Sequence, residues 1–306
     1  MSTILIGVDD SARSEDAVAF GRRLAIASGA RVVLACAYPY EEPVEAPRDP
    51  FFRDRLQETA EQTLADRRPG LAGIADDRVT ARSVARYAPA RALHETAESE
   101  QAGIVIVGST HTGPAGRVLP GATGERLLHG APCPVAVVPH GYGARPDTTI
   151  RRIGVAVDGS PESQSALAAG GDLADVLGAH LEVIGVYSAE SYGAPAMMGG
   201  PGYNVLRKDI ERRQRERLAD AVATLPAGID AEPVPLAGEP VRRLIDRSRD
   251  LDLLIVGSRG YGPLHSVLVG GVSGPVVRGA HCPVIAVPRG VAAPLHELFT
   301  QNAATA

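Results

Sequence analysis

Apolar residues in this chain fall into two alternating arrangements. Ile4–Val8 is a short, almost unbroken apolar run, which predicts a strand covered on both faces. From Ser14 to Ser28, Ala17, Phe20, Leu24 and Ala25 recur at helical spacing, and Gly29 supplies the stop. The alternation continues with strands at Val32–Ala37, Val79–Val84, Ile104–Val107 and Val135–Val138. Between them lie helical patterns at Phe51–Arg67, Ala90–Glu100 and Ala122–His129. Strands follow again at Ile153–Val157, Leu181–Val186, Glu232–Leu236, Leu253–Val256 and Val284–Val287. Strands rich in Val, Ile and Leu, each followed by a helix, predict an α/β architecture with parallel sheets covered on both sides.

The pattern is one unit written twice. Asp9-x-Ser11 returns as Asp158-x-Ser160, and Gly108-Ser109 as Gly257-Ser258. Cys133-Pro134-Val135 returns as Cys282-Pro283-Val284, each pair 149 positions apart, as 9 is from 158. A period of that size marks a duplicated domain, not a solenoid. The expected division is 1–143, 149–290 and a tail of 291–306, with a Gly- and Pro-containing linker at His140–Thr149. Each half is expected to be a doubly wound parallel five-stranded domain.

Composition narrows the function. The 306 residues hold 31 basic against 36 acidic side chains, a net charge of −5 with no basic block, which argues against nucleic-acid binding. No apolar run approaches the ~18 residues of a membrane span, and the first residues lack a signal-peptide pattern, so a cytoplasmic protein with no membrane partner is expected. Cys36, Cys133 and Cys282 are too few and too widely spaced for a disulfide framework, and packed thiols are expected. Lys208 is the only lysine and follows no glycine-rich run, which excludes a P-loop and the strand lysine of a kinase. The eight histidines show no zinc-site spacing.

In an open parallel sheet, ligands bind beyond the carboxyl ends of the strands, where strand order reverses. Asp9 and Asp158 close the first strand of each half. Gly108-Ser109-Thr110-His111 and Gly257-Ser258-Arg259-Gly260 follow the fourth. A second glycine segment, Gly121-Ala122-Thr123-Gly124 or Gly270-Gly271-Val272-Ser273, is expected to open the last helix, where bare N–H groups attract anions. A plainer role is available to each: the aspartates can cap helices, and strand-to-helix turns favour glycine anyway.

The strand ending in Val-Asp-x-Ser, the G-x2-G-x9-G spacing and the Cys-Pro-Val strand together resemble the universal stress protein family in its tandem form. The resemblance implies an adenine-nucleotide alpha-hydrolase-like fold with strand order 3-2-1-4-5. It implies ATP, with or without Mg²⁺, in the crevice between the first and fourth strands. In the second half it implies nucleotide-binding roles for Asp158, Val186, Val256, Gly257, Arg259, Gly260, Gly270, Gly271, Val272 and Ser273. Gly271 stands where the family carries a hydroxyl. In the first half it implies such roles for Asp9, Ala37, Val107, Gly108 and Gly121. There His111 replaces the second glycine and Ala122 the hydroxyl residue, so ATP is expected mainly in the second half.

The same strand order leaves the last strand of each half at an edge. Exposed apolar edges invite pairing. Val135–Val138 and Val284–Val287 are therefore expected to join antiparallel, making the chain an internal dimer of its halves; the family implies a further homodimer. The function expected is a regulatory nucleotide-binding module in a stress response, acting through an unidentified protein partner. No dedicated catalytic set is visible, so no enzyme is expected beyond slow ATP hydrolysis. The alternatives are a scaffold without nucleotide and an adenylating enzyme of the same superfamily, whose HxGH and SGGxDS motifs do not occur here.

Overall fold

The computed structural model describes residues 2–41, 50–109, 121–145, 149–188, 201–258 and 271–288. The first half runs β1 (Thr3–Val8), α1 (Arg13–Ser28), β2 (Arg31–Tyr38), α2 (Pro50–Arg67), β3 (Val79–Ala85), α3 (Pro89–Ser99), β4 (Ala102–Gly108), α4 (Ala122–Gly130) and β5 (Val135–Val138). The second repeats it as β6 (Arg152–Ala156), α5 (Pro161–Leu177), β7 (His180–Tyr187), α6 (Pro201–Ala223), β8 (Ala231–Ala237), α7 (Pro240–Arg247), β9 (Leu253–Ser258), α8 (Ser273–Gly279) and β10 (Val284–Pro288). Both α1 and α5 stop where a glycine turns left-handed, Gly29 at φ 68° and Gly178 at φ 60°. A side chain there would meet the steric penalty that glycine avoids.

The ten strands among the described residues form one sheet in the order β3-β2-β1-β4-β5-β10-β9-β6-β7-β8. Each half thus has the order 3-2-1-4-5, and every ladder is parallel except the one joining β5 to β10. That seam pairs Val137 with Val284, Ala136 with Ile285 and Val135 with Ala286. It is the edge-to-edge pairing expected of the two final strands. The outer edges are blunted instead: β8 carries Pro233 and Pro235, which offer no donor, and β3 carries Thr80, Arg82 and Ser83.

Alternate residues of each strand serve opposite faces. Ile4, Ile6, Ile153 and Ile285 pack with Phe20 and Leu24 of α1, Leu64 of α2, Leu173 of α5 and Leu218 of α6. Leu5, Val33, Val105, Leu254 and Val284 pack with Leu93 of α3, Leu127 of α4, Leu244 of α7 and Val276 of α8. Each apolar core spans both halves, and because one lies on each face of the sheet the strands read as continuous apolar runs.

The described start of the linker, 140–145, is tied to the body of the protein. The buried Asp16 carboxylate accepts from the Gly141 and Gly143 amides at 2.9 and 2.8 Å. Tyr142 is buried and meets Phe20 edge-on, ring centres 5.7 Å apart. Arg145 lies 5.5 Å over the Tyr142 ring and donates to the His281 carbonyl at 3.2 Å, tying the linker to the second half.

Candidate functional site

The carboxyl ends of β1 and β4 lie side by side, as do those of β6 and β9. At each, the aspartate folds the chain into a turn. Asp9 Oδ1 accepts from the Ser11 amide at 3.0 Å, from the Ser11 hydroxyl, and from Ser14 Oγ at 2.9 Å. Asp158 Oδ1 accepts from the Ser160 amide at 2.9 Å and its hydroxyl at 2.5 Å. Ser160 in turn caps α5, accepting from the Ser163 amide at 3.2 Å, with Pro161 as the first helical residue. In the second half the helix cap is therefore the serine, whereas α1 has Ala12 at that place with no side-chain cap; in both halves the aspartate, exposed at the mouth of the crevice, shapes the turn.

Gly108 and Gly257 are demanded by packing. A Cβ on Gly257 would lie 2.7 Å from the backbone C and O of Glu162 and 2.9 Å from the Ser163 amide nitrogen. A Cβ on Gly108 would strike the Arg13 carbonyl oxygen. These glycines let the fourth strand end directly on the first turn of the helix that follows the first strand.

The last helices differ. α4 starts at Ala122 with Gly121 as its N-cap, as the sequence suggested. α8 starts only at Ser273, with Val272 as N-cap, so Gly270-Gly271 does not open it. Pro275 explains this. It has no N–H to donate, so it is tolerated only in a first turn, and a helix begun at Gly271 would leave a gap there. The repeat position in the first half is Arg126, which imposes no such limit.

A cavity of about 130 Å³ occupies the first crevice. Asp9, Ala37, Val107, Gly108 and Gly121 all line it, joined by Arg13 and Thr123. A cavity of about 240 Å³ occupies the second, and Asp158, Val186, Val256, Gly257, Val272 and Ser273 line it with Glu162. Gly271 is not in that lining, and a Cβ on it would meet nothing within 4 Å. Arg259, Gly260, Gly270 and His111 lie outside the described residues. Sequence reasoning missed Arg13 and Glu162, although the 149-residue register aligns the two and so held the signal; Thr123 belongs to the glycine segment already singled out.

Cys36, near the first crevice, has its thiol pushed up to about 11 by burial and by the charges of Asp9 and Asp10. Burial likewise takes Cys133 up to about 12 and raises Cys282. Among the described residues, no three metal-ligating side chains gather, and no helix is long and apolar enough to cross a membrane.

A larger cavity, about 960 Å³, lies between α5 and α6 and shares Val157 and Asp158 with the second crevice. Leu167, Leu218, Ala221 and Leu225 line it together with polar side chains such as Asp172, Gln214 and Arg217. In the first half, Arg67 at the end of α2 reaches across to the start of α1. It donates to the carbonyls of Asp10 and Ser11 at 3.0 and 3.1 Å and pairs with Glu15 at 3.3 Å. Size alone does not make this groove the chemical site; the carboxylate and glycine turns converge on the two crevices.

The sheet is that of a doubly wound α/β protein, with a cavity at each reversal of strand order. The universal stress protein family model matches residues 1–139 and again 149–288, and the chain belongs to that family. A universal stress protein of Mycolicibacterium smegmatis is 29% identical over 294 residues, covering 93% of this chain and 96% of that one. One from Mycobacterium bovis is 32% identical over 188 residues, a match spanning 61% of this chain and 62% of that protein's length. The crystal structure of a universal stress protein from Archaeoglobus fulgidus superposes with TM-score 0.68 at 18% identity, covering 94% of this chain and 98% of that one.

Proposed function

We propose that this chain is a regulatory protein that binds adenine nucleotide in its two crevices and presents the occupied state to a protein partner. In this reading 1–143 and 149–290 each carry one crevice, and 291–306 is a tail. The observation that carries the reading is convergence. All five positions singled out in the first half, and six of those in the second, line one cavity each at the point where strand order reverses.

The chemistry suits a nucleoside. The exposed carboxylate at each mouth accepts hydrogen bonds, as ribose hydroxyls require. Ala37 and Val186 stand next to the last residue of the second strand in each half and line the cavity, where their backbone groups can read a base edge without a dedicated side chain. ATP is the nucleotide we assign, with Mg²⁺ accompanying its phosphates. Turnover is not part of the assignment.

Mass spectrometry of small molecules released from the purified full chain, followed by calorimetric titration with ATP, ADP and AMP, tests the reading. Adenine nucleotide bound in stoichiometric amounts is the expected result. A chain that purifies empty and binds none of the three at millimolar concentration would return it to the scaffold class.

A further inference from the structure

The seam sets the two halves about a pseudo-two-fold axis. Ala136 faces Ile285, its own repeat position, with Val137–Val284 and Val135–Ala286 on either side. A path taken in the first half therefore maps onto the second by adding 149 to each residue number. After β5 the chain crosses α1: the Gly141 and Gly143 amides donate to Asp16, and Tyr142 packs on Phe20. A Cβ on Gly143 would lie 3.4 Å from that of Ala19 and 3.2 Å from the Glu15 carbonyl oxygen. The counterparts of Glu15, Ala19 and Phe20 are Gln164, Ala168 and Ala169. All three line the groove of about 960 Å³ between α5 and α6.

Bulk is what differs. Phe20 and Tyr142 are both buried, and their counterparts are the smaller Ala169 and Val291. Leu167 and the exposed Ala168 present apolar surface from α5, and Ala221 and Leu225 present it from the other wall. The chain is last described at Pro288, the counterpart of Pro139, and residues 289–306 lie outside the described residues. In sequence, that segment carries Leu295, Leu298 and Phe299 at i, i+3 and i+4, the spacing of one apolar helix face. Pro294 ahead of them suits a first helical turn.

We propose that segment 289–299 docks in the groove between α5 and α6 of its own chain, with Leu295, Leu298 and Phe299 against Leu167, Ala221 and Leu225. The two-fold relation supplies the route. Ala292 takes the place of Gly143, against Gln164 and Ala168, at the edge of the groove. Leu295 follows three residues later and reaches up to roughly 10 Å further along. Its apolar face then covers surface that the first half, with Phe20 and Tyr142 in contact, does not leave open at the same place. Because the groove shares Val157 and Asp158 with the second crevice, the docked segment stands beside that crevice. The proposal does not depend on which ligand the crevice takes.

The test is maleimide labelling of the full chain carrying Phe299→Cys or, separately, Leu298→Cys, with Ala304→Cys as the reference. Cys36, Cys133 and Cys282 are buried, so the new thiol is read against a slow background. Both positions on the apolar face are expected to react at least tenfold more slowly than Ala304→Cys, at a rate independent of protein concentration. Adding Ala168→Arg on α5, or Ala221→Arg on the opposite wall, should bring the rates together, with circular dichroism confirming that each protein stays folded. Ala168 is exposed, so arginine there has room without disturbing the core. Labelling as fast as the reference would overturn the proposal. Slow labelling that neither arginine relieves would place the segment elsewhere and overturn it too. Protection that grows with protein concentration would assign the groove to a second copy of the chain, again against the proposal.

Discussion

Replacing Gly257 with alanine tests whether the motif glycine serves the ligand or the fold. The added methyl would sit 2.7 Å from two backbone atoms of Glu162 and 2.9 Å from the Ser163 nitrogen. Ordinary carbon contacts lie near 3.5–4.0 Å, so the overlap approaches 1 Å. None of these neighbours is the end of a flexible side chain. Relief requires the first turn of α5 to move off β9, against a core in which Leu167, Leu173 and Ile255 are buried. Overpacking of this kind costs about 1–3 kcal/mol, which for a chain of this size lowers Tm by several degrees. Gly271→Ala is the control. Its methyl meets nothing within 4 Å, and restricting the unfolded chain there should be neutral or stabilise by up to ~1 kcal/mol. Urea unfolding followed by circular dichroism on the two variants and wild type provides the comparison. A Gly257→Ala protein within ~0.5 kcal/mol of wild type would show that strand and helix part easily and that the packing argument is wrong.

Other consequences follow from single contacts. Glu182 is 1% exposed and receives two hydrogen bonds from Arg247, at 2.7 and 2.5 Å, so Arg247→Met should destabilise the second half by about 3 kcal/mol, measured by denaturant titration. Burial lowers the pKa of His180, but its hydrogen bonds to Asp230 and Glu232 outweigh that and raise it above the usual 6.5. A raised folded value means the charged form stabilises the fold below the unfolded pKa, so this contribution should fade as pH climbs from about 6.5 through the folded value, and His180→Gln should flatten the Tm-against-pH curve over that window. With all three cysteines buried and their thiols shifted upward, a maleimide at pH 7 should label the native chain far more slowly than the urea-unfolded one; rapid native labelling would contradict the burial. Expressed alone, 1–143 should expose β5 along its length and self-associate in analytical ultracentrifugation, while a soluble, non-associating monomer would show that the seam is dispensable.

The strands were legible because each is buried on both faces and has no reason to carry a polar residue. The duplication was legible in the same way, and the seam followed from asking where two apolar edges go. What was hidden has identifiable causes. The late start of α8 is written in Pro275, but the glycine pair ahead of it is an equally good helix-opening signal in sequence. Tyr142 sits in a stretch of glycine and charge, so neither composition nor periodicity flags it as a core residue; its anchor, Asp16, lies 126 positions earlier. Arg13 and Glu162 stand in the first turn of helices, where apolar spacing says nothing about which side chain faces a crevice. Only the alignment of the two halves, read position by position, exposes the reversal of sign. The second-half loop from Arg259 to Gly270, which carried much of the sequence argument, lies outside the described residues.

The seam between β5 and β10 has a consequence for how the two halves can change. When two identical chains pair through such an edge, any substitution in one crevice appears in the other, and the assembly stays symmetric whatever the cost to either site. Here the same pairing is made within one polypeptide. A mutation at position 13 leaves position 162 untouched, and the shared sheet holds both halves in register while they diverge. Covalent fusion thereby turns a symmetric pair into a heteromeric one with fixed stoichiometry, whose assembly no longer depends on protein concentration. Arginine in one half and glutamate in the other is a combination that a dimer of identical subunits has no means of encoding.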